Sequence, residues 1–308
     1  VKPSRSHVFP RTSLTMLRVG HCIHPECLAL RGGAWRSSVF PALVGLIRHP
    51  DAGAILFDTG YSEHFARATA RFPERLYRWT TPVVLPDDEC LLPQLSRHGI
   101  AAHEVRYVFA SHLHADHIAG LRDLPRATIW HGDAALRGAR AASRLARLRK
   151  ATLLDLLPDD FDARRCAIEA LPKAALPHAW RALGGGFDLL GDGSLRAVPL
   201  PGHARGQHGL LLRHEDDREY LLAGDATWRI AHATVDADVD AETGPDARRI
   251  ARASAWPTRL LADDWSAQQA TLSTLQRVLD GGGADRCVLP SHCADSYARL
   301  PAAMRGTP

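Results

Sequence analysis

The chain has 308 residues, 45% hydrophobic and 23% charged, enough to bury a sizeable core as one large domain or two ordinary ones. Lys and Arg number 38 against 34 Asp and Glu, a net +4 spread over a large surface, which argues against a nucleic-acid-binding protein. No stretch approaches the roughly 20 apolar residues that span a bilayer, and the start, "VKPSRSHVFPRTSLTMLRVG", lacks the apolar core of a signal peptide.

Taken in chain order, "HCIHPEC" holds Cys22, His24 and Cys27 close together but has no second ligand pair, so it reads as a strand and its turn. "SSVFPALVGLIRH" and "AILFDTG" read as two strands joined by "PDAG" and ending at Asp58. The stretch 61–95 is irregular and partly helical, broken by Pro73, Pro82, Pro86 and Pro93. "VRYVFA" is a strand, "SHLHADHIAGLRDL" a turn running into a helix, and "ATIWHG" one more strand. The stretch 133–183, rich in Ala, Leu and Arg, is helical in composition. Arg137, Arg140, Arg144 and Arg147 within it would line one helical face, a solvated one. "FDLLGDGSLRAVPL", "GLLLRHEDDREYLLAGD" and "RCVLPSHC" supply strands joined by tight turns. Before the last of them, "WSAQQATLSTLQRVL" places Trp265, Gln268, Leu272, Leu275 and Leu279 at helical spacing. Strands in two groups, each followed by helices, point to a layered α/β sandwich.

The chemistry gathers at strand ends. In "SHLHADHIAG", His112 and His114 lie two apart, so in an extended turn both rings can face one point, while Asp116 and His117 fall on the next bend and face a neighbouring point. One turn can thereby serve two adjacent metals, and histidine with carboxylate suits zinc, iron or manganese. Three other turns offer further donors after apolar strands: His203 in "PLPGHARGQHG", Asp225 in "LLAGDATW" and His292 in "VLPSHCAD".

The ordered set HxHxDH, PGH, GD and SH resembles the metallo-β-lactamase-fold hydrolases, in particular the dinuclear branch that includes glyoxalase II and the N-acyl homoserine lactonases. The likeness runs from Asp58 to His292. It implies a four-layer αββα sandwich formed by residues 1–308 as a single domain, with helical insertions near 61–95 and 133–183. It implies one metal on His112, His114 and His203, a second on Asp116, His117 and His292, and Asp225 bridging them with a hydroxide between. Asp58 matches an acid that supports the ligand turn from behind. Two divalent ions, zinc first with iron, manganese or cobalt as alternatives, would activate a solvent nucleophile against a lactone or small carboxylic ester. Asp116 resembles the residue proposed to pass the proton to the leaving alkoxide. A homodimer is also within the family's range.

The pattern departs from that of the lactonases at Trp228, which stands three residues after Asp225 where a tyrosine is common. An indole N–H donates one hydrogen bond but cannot act as an acid, so Trp228 either assists catalysis by donation or lines the pocket. "HADHIAG" lacks the second glycine of the glyoxalase II form. The reading is therefore a lactonase-like or esterase-like enzyme. A phosphodiester or thioester hydrolase, or a weakly catalytic binding protein of the same fold, stand as alternatives. Trp35, Phe40, Trp79 and Trp256 are candidates for the pocket or for plain packing. Cys287 and Cys293 read as buried thiols rather than nucleophiles. All six cysteines, with no CxxC pair, suggest reduced thiols and a cytoplasmic protein.

Overall fold

Strand β2 (Ser37–His49) shows how this chain builds its layers. Leu43 and Ile47 point into one apolar cluster while Val44 and Leu46 point into another, because successive side chains leave a strand on opposite faces. Both faces are covered, so the run is apolar throughout rather than alternating. The same division holds in β3 (Gly53–Phe57), where Ile55 and Phe57 face one way and Leu56 the other.

The computed structural model describes residues 10–29, 33–232, 248–250, 259, 261–281, 283 and 285–306. The first sheet contains β1 (Ser13–Pro25), β2, β3, β4 (Val83–Val84), β5 (Val105–Phe109), β6 (Thr128–His131) and β7 (Arg165–Ala167), in the spatial order β4-β1-β2-β3-β5-β6-β7. The second contains β8 (Lys173–Ala175), β9 (Gly185–Asp188), β10 (Leu195–Pro199), β11 (His208–Arg213) and β12 (Glu219–Gly224). After the short pair β13 (Ile230–His232) and β14 (Arg248–Ile250), β15 (Arg286–Pro290) completes that sheet in the order β15-β12-β11-β10-β9-β8.

Three apolar clusters separate four layers. Leu14, Met16, Ile55, Phe57 and Phe109 of the first sheet meet Leu210, Leu212, Tyr220, Leu222 and Leu289 of the second. The far face of the first sheet packs Val44, Leu46 and Val108 against Phe65, Leu95, Ile118 and Leu136 from helices. The far face of the second packs Val198, Leu211, Leu221 and Val288 against Leu275 and Val278 of the helix Trp265–Asp280. This is the αββα sandwich.

Several local expectations need correction. The stretch 133–183 is less helical than its composition suggested: helices Asp133–Ala141, Arg144–Arg149 and Phe161–Arg164 are short, and β7 and β8 lie within it. Pro158, Pro172 and Pro177 interrupt the chain, and the open edges at β6 and β9 recruit the two strands. The four arginines do not share one helical face, because the helix breaks at Ala142 and Ser143. Arg137 pairs with Asp133, Arg140 with Asp162 and Arg144 with Glu74, whereas Arg147 turns elsewhere. The turn after β5 continues into a single helical turn, Ala115–Ile118, not a full helix. In the Trp265–Asp280 helix the buried stripe is Gln268, Thr271, Leu275 and Val278, one position off the expected Leu272 and Leu279. The "HCIHPEC" segment closes β1, which begins much earlier than its motif, at Ser13.

Candidate metal centre

Every donor stands where a strand of the sandwich stops. β5 ends in the turn carrying His112 and His114, β10 leads to His203, β12 ends at Gly224 before Asp225, and β15 ends at Pro290 before His292. Two backbone hydrogen bonds stitch the turns together across the two sheets, His208 N–H to Ser111 O (3.0 Å) and Leu43 N–H to Ser291 O (2.9 Å), and Ser291 N–H to Gly224 O (3.1 Å) joins two turns of the second sheet. At "PGH" the backbone requires glycine. Gly202 has φ +131°, and a Cβ there would lie 2.2 Å from the backbone of Gln268. Its absence lets the Trp265–Asp280 helix close over the turn that carries His203.

The seven predicted donors converge as two groups, with ligand atoms in each within 4.8 Å of one another. His112, His114, His203 and Asp225 form the first; Asp116, His117 and His292 form the second. Asp225 faces both. Its Oδ2 lies 3.3 Å from His203 Nε2, and its Oδ1 lies 3.1 Å from His292 Nε2 and 3.3 Å from His117 Nε2. Asp116 Oδ2 lies 3.3 Å from His292 Nε2. His203 Nε2 and His114 Nδ1 are 3.1 Å apart.

Behind three of the rings, those of His112, His117 and His292, partners occupy the nitrogens that face away, which fixes these rings' orientation. Asp58, itself buried, accepts from His117 Nδ1 (2.7 Å), Ser111 N–H (2.8 Å) and Ser111 Oγ (2.9 Å). Ser111 Oγ also lies 3.0 Å from His112 Nδ1. His292 Nδ1–H donates to Pro41 O (2.7 Å). The "DTG" turn adds Thr59, whose N–H and hydroxyl both donate to His117 O (2.8 and 2.9 Å). Asp58 has φ +61°, a left-handed conformation that Asp tolerates better than most residues.

Trp228 Nε1–H donates to Asp225 Oδ2 at 3.0 Å, and its ring lies edge-on to His203 with centroids 5.7 Å apart. The indole therefore holds the carboxylate that faces both groups and also walls the first. Arg229 beyond it pairs with Glu26 (2.8 Å) and Asp295 (2.9 Å).

The electrostatics of the two groups differ. Burial pushes His112 well below the ordinary imidazole range, helped by His117 and His114; burial likewise lowers His114, to about 3, with His203 adding to it. Burial opposes charge on His117 and His292 as well, but the carboxylates of Asp58, Asp116 and Asp225 around His117, and of Asp225 and Asp116 around His292, hold both well above that range. Burial would raise Asp225, yet His292 and His117 hold it well below the usual carboxylate range.

The donor set fits metal. His112 Nε2 is buried, aimed into the centre and lacks a hydrogen-bond partner, and His117 Nε2 and Asp225 Oδ1 meet only other donors of the centre, a costly arrangement for groups with no other use. Imidazole nitrogens and carboxylate oxygens of this kind form a dinuclear cluster that accepts zinc, iron, manganese or cobalt.

The remaining candidates lie apart from the donors. Cys22, His24 and Cys27 join neither group. Cys293 is buried and its sulfur accepts from Ser296 Oγ–H (3.0 Å), while Cys287 is only half-buried. Trp35 and Trp79 are exposed, Phe40 packs against the core beneath the first sheet's helices, and Trp256 lies outside the described residues. Sequence reasoning did not single out Ser111 or the Pro41 carbonyl; serine ahead of a histidine turn is a weak signal, and a backbone carbonyl is none.

Residues 38–278 match the family model described as the metallo-beta-lactamase superfamily, and the chain belongs to that superfamily. It is 29% identical over 153 residues to the N-acyl homoserine lactonase AttM of Rhizobium radiobacter, covering 48% of this chain and 51% of the relative. With the AttM of Agrobacterium fabrum it shares 28% over 191 residues, 61% of this chain and 65% of the relative. The match thus spans about half to two thirds of these curated relatives. In three dimensions it resembles a variant of B. thuringiensis AiiA solved with N-decanoyl-L-homoserine at its active site, with TM-score 0.65, 15% identity, and coverage of 96% of this chain and 98% of that one. At that identity the likeness speaks for the fold.

Proposed function

We propose that the protein is a dinuclear metal-dependent hydrolase that opens a lactone or cleaves a small carboxylic ester. The observation that carries this reading is Asp225, whose two oxygens face the two donor groups separately. The AttM relatives, named as N-acyl homoserine lactonases, support the substrate class. Two divalent cations bound here supply Lewis acidity toward a carbonyl oxygen and a solvent nucleophile near neutral pH.

The chain's own residues position and protect that chemistry. His112, His114 and His203 would hold the first ion with Asp225, and Asp116, His117 and His292 would hold the second with it. Asp58 and the Pro41 carbonyl orient His117 and His292, and Trp228 fixes Asp225 through its N–H. Asp116 is more open than Asp225, with its side chain 12% exposed against 5%; we assign to it the transfer of the proton given up by the attacking water to the departing alkoxide.

The test is turnover by the metal-loaded protein of N-hexanoyl homoserine lactone, 4-nitrophenyl butyrate and a butyryl thioester, followed before and after chelation. Hydrolysis of the lactone or ester that chelation abolishes and added metal restores is expected. Turnover of the thioester alone would move the reading to a thioesterase, and none of the three would overturn it.

A further inference from the structure

A cavity of about 180 Å³ adjoins the centre, bounded on one side by His114 and His203 and on the other by the helices Asp133–Ala141 and Arg144–Arg149. Its helical wall is Ala135, Gly138, Ala139 and Ala142, at spacings of three and four, so a whole helix face carries nothing larger than a methyl group. Around this wall stand Arg147, Lys150 and Arg205, and the acid among the lining residues is Asp263.

Protein acceptors occupy these cations only in part. Arg147 Nη1 donates to Ala142 O (2.7 Å), one bond from a group with five N–H. Lys150 Nζ donates to Ala262 O (2.6 Å) and Leu261 O (3.2 Å). Arg205 lies across Gly138, where a Cβ would sit 3.0 Å from its Cδ, and its Nε is 3.4 Å from Asp263. Arg205 pairs with Asp263, as Arg137, Arg140 and Arg144 outside the cavity each pair with an acid, whereas Arg147 and Lys150 donate to backbone carbonyls. Three cations against one acid leave net positive charge among the residues on the side that borders the metal centre. Burial holds the Lys150 ammonium below its ordinary range despite Asp263, with Arg149 and Arg205 adding repulsion.

We propose that this cavity is a subsite for an anionic group of the substrate. The substrate is a compact ester or lactone whose carbonyl reaches the metal centre and whose carboxylate, or a similar anion, is held by Arg147, Lys150 and Arg205. Three cations against the one acid, Asp263, leave an excess of positive charge around one small space, and an anion there offsets it while making charge-assisted hydrogen bonds. A neutral acyl chain would fill the alanine wall but leave the excess positive charge without a counter-ion. The cavity is small beside the roughly 300–1,000 Å³ of ordinary ligand pockets, so the group is short.

This inference rests on the hydrolytic reading for its substrate class, and the test separates the two. Three esters are compared on the metal-loaded protein: 4-nitrophenyl butyrate, which is neutral; mono-4-nitrophenyl glutarate, with the anion on the acyl side; and 3-carboxyphenyl butyrate, with the anion on the leaving group. The variant is Arg147→Gln/Arg205→Gln, which spares the contacts of Lys150, with the exposed single change Arg205→Gln as a milder second. The ratio of kcat/KM for an anionic ester to that for the neutral one is expected to fall roughly 10- to 100-fold in the double variant, mainly through KM. The ester whose ratio falls identifies the side that carries the anion. Glutarate binding, measured by calorimetry, is expected to weaken by a similar factor in the variant and with added salt. If no ester is cleaved yet glutarate binding depends on the two arginines, the subsite stands and the hydrolytic reading falls. Ratios and glutarate binding that do not move in either variant would overturn the subsite.

Discussion

The metal centre and the helical wall beside it share one cleft but are held by different means. The donors stand on turns tied to both sheets, and His112, His117 and His292 each have the ring nitrogen facing away from the centre in contact with Ser111, Asp58 or Pro41. Their positions are set by the backbone, down to Gly202, where a Cβ would meet the backbone of Gln268. The wall instead rests on two short helices, small side chains and long cations reaching in from their ends. Chemistry is therefore built into the frame, while selectivity is carried by side chains that can change without straining it.

The largest break of this comparison comes from Asp225→Ala, which removes the carboxylate facing both groups. Activity is expected to fall well past the roughly 10- to 100-fold typical of losing a partner behind a ligand, with metal lost alongside; kcat/KM and elemental analysis together check it. Next comes Gly202→Ala, which strains φ and drives a methyl into the backbone of Gln268. Strain alone costs about 1–3 kcal/mol, so urea midpoints should drop clearly and activity with them, His203 being displaced. A wild-type midpoint would show that the turn yields more easily than its geometry implies.

Trp228→Phe asks which side of the comparison the indole belongs to. It keeps a ring beside His203 and deletes the N–H donated to Asp225. Loss of a hydrogen bond to a charged group predicts a fall in kcat on the order of tenfold. A change confined to KM across esters of different acyl size would make Trp228 part of the wall alone.

Glu74→Gln should have the smallest effect. The Arg144 guanidinium hydrogen-bonded to Glu74 outweighs burial and holds that carboxyl below its ordinary range, tying the second wall helix to the 61–95 region. A depressed carboxyl contributes stability above its unfolded pKa and loses it as pH falls through the folded value. Arg144 is 60% exposed, so the contribution is discounted to within about 1 kcal/mol at neutral pH. The gap between the urea midpoints of the variant and wild type should close in acid below the ordinary carboxylate range, while hydrolysis of a neutral ester stays at its wild-type rate.

The same contrast decides what could be read from the residues. Donors at strand ends are legible because few other roles call for three histidines and an aspartate on one turn, and because β2 and β12 are largely apolar runs buried on both faces. The short edge strands β7 and β8 were hidden, since their residues favour no strand and are recruited by pairing with β6 and β9. β1 was seen only at its end; Arg18 and the register shift between Arg18 and His21 break its pattern. Arg205 lay in plain view within "PGHARGQHG", but its meaning depends on Gly138, distant in sequence and adjacent in space.

Metal stoichiometry tests the central claim most directly. The purified chain, loaded in turn with zinc, iron, manganese and cobalt and freed of excess, is expected to hold about two ions per chain in at least one case. His114→Ala and His292→Ala should each retain about one, because each removes a donor from a different group. A single ion or none in the parent under every loading, or a loss of both ions on either substitution with the fold intact, would contradict a two-metal centre divided as Asp225 divides it.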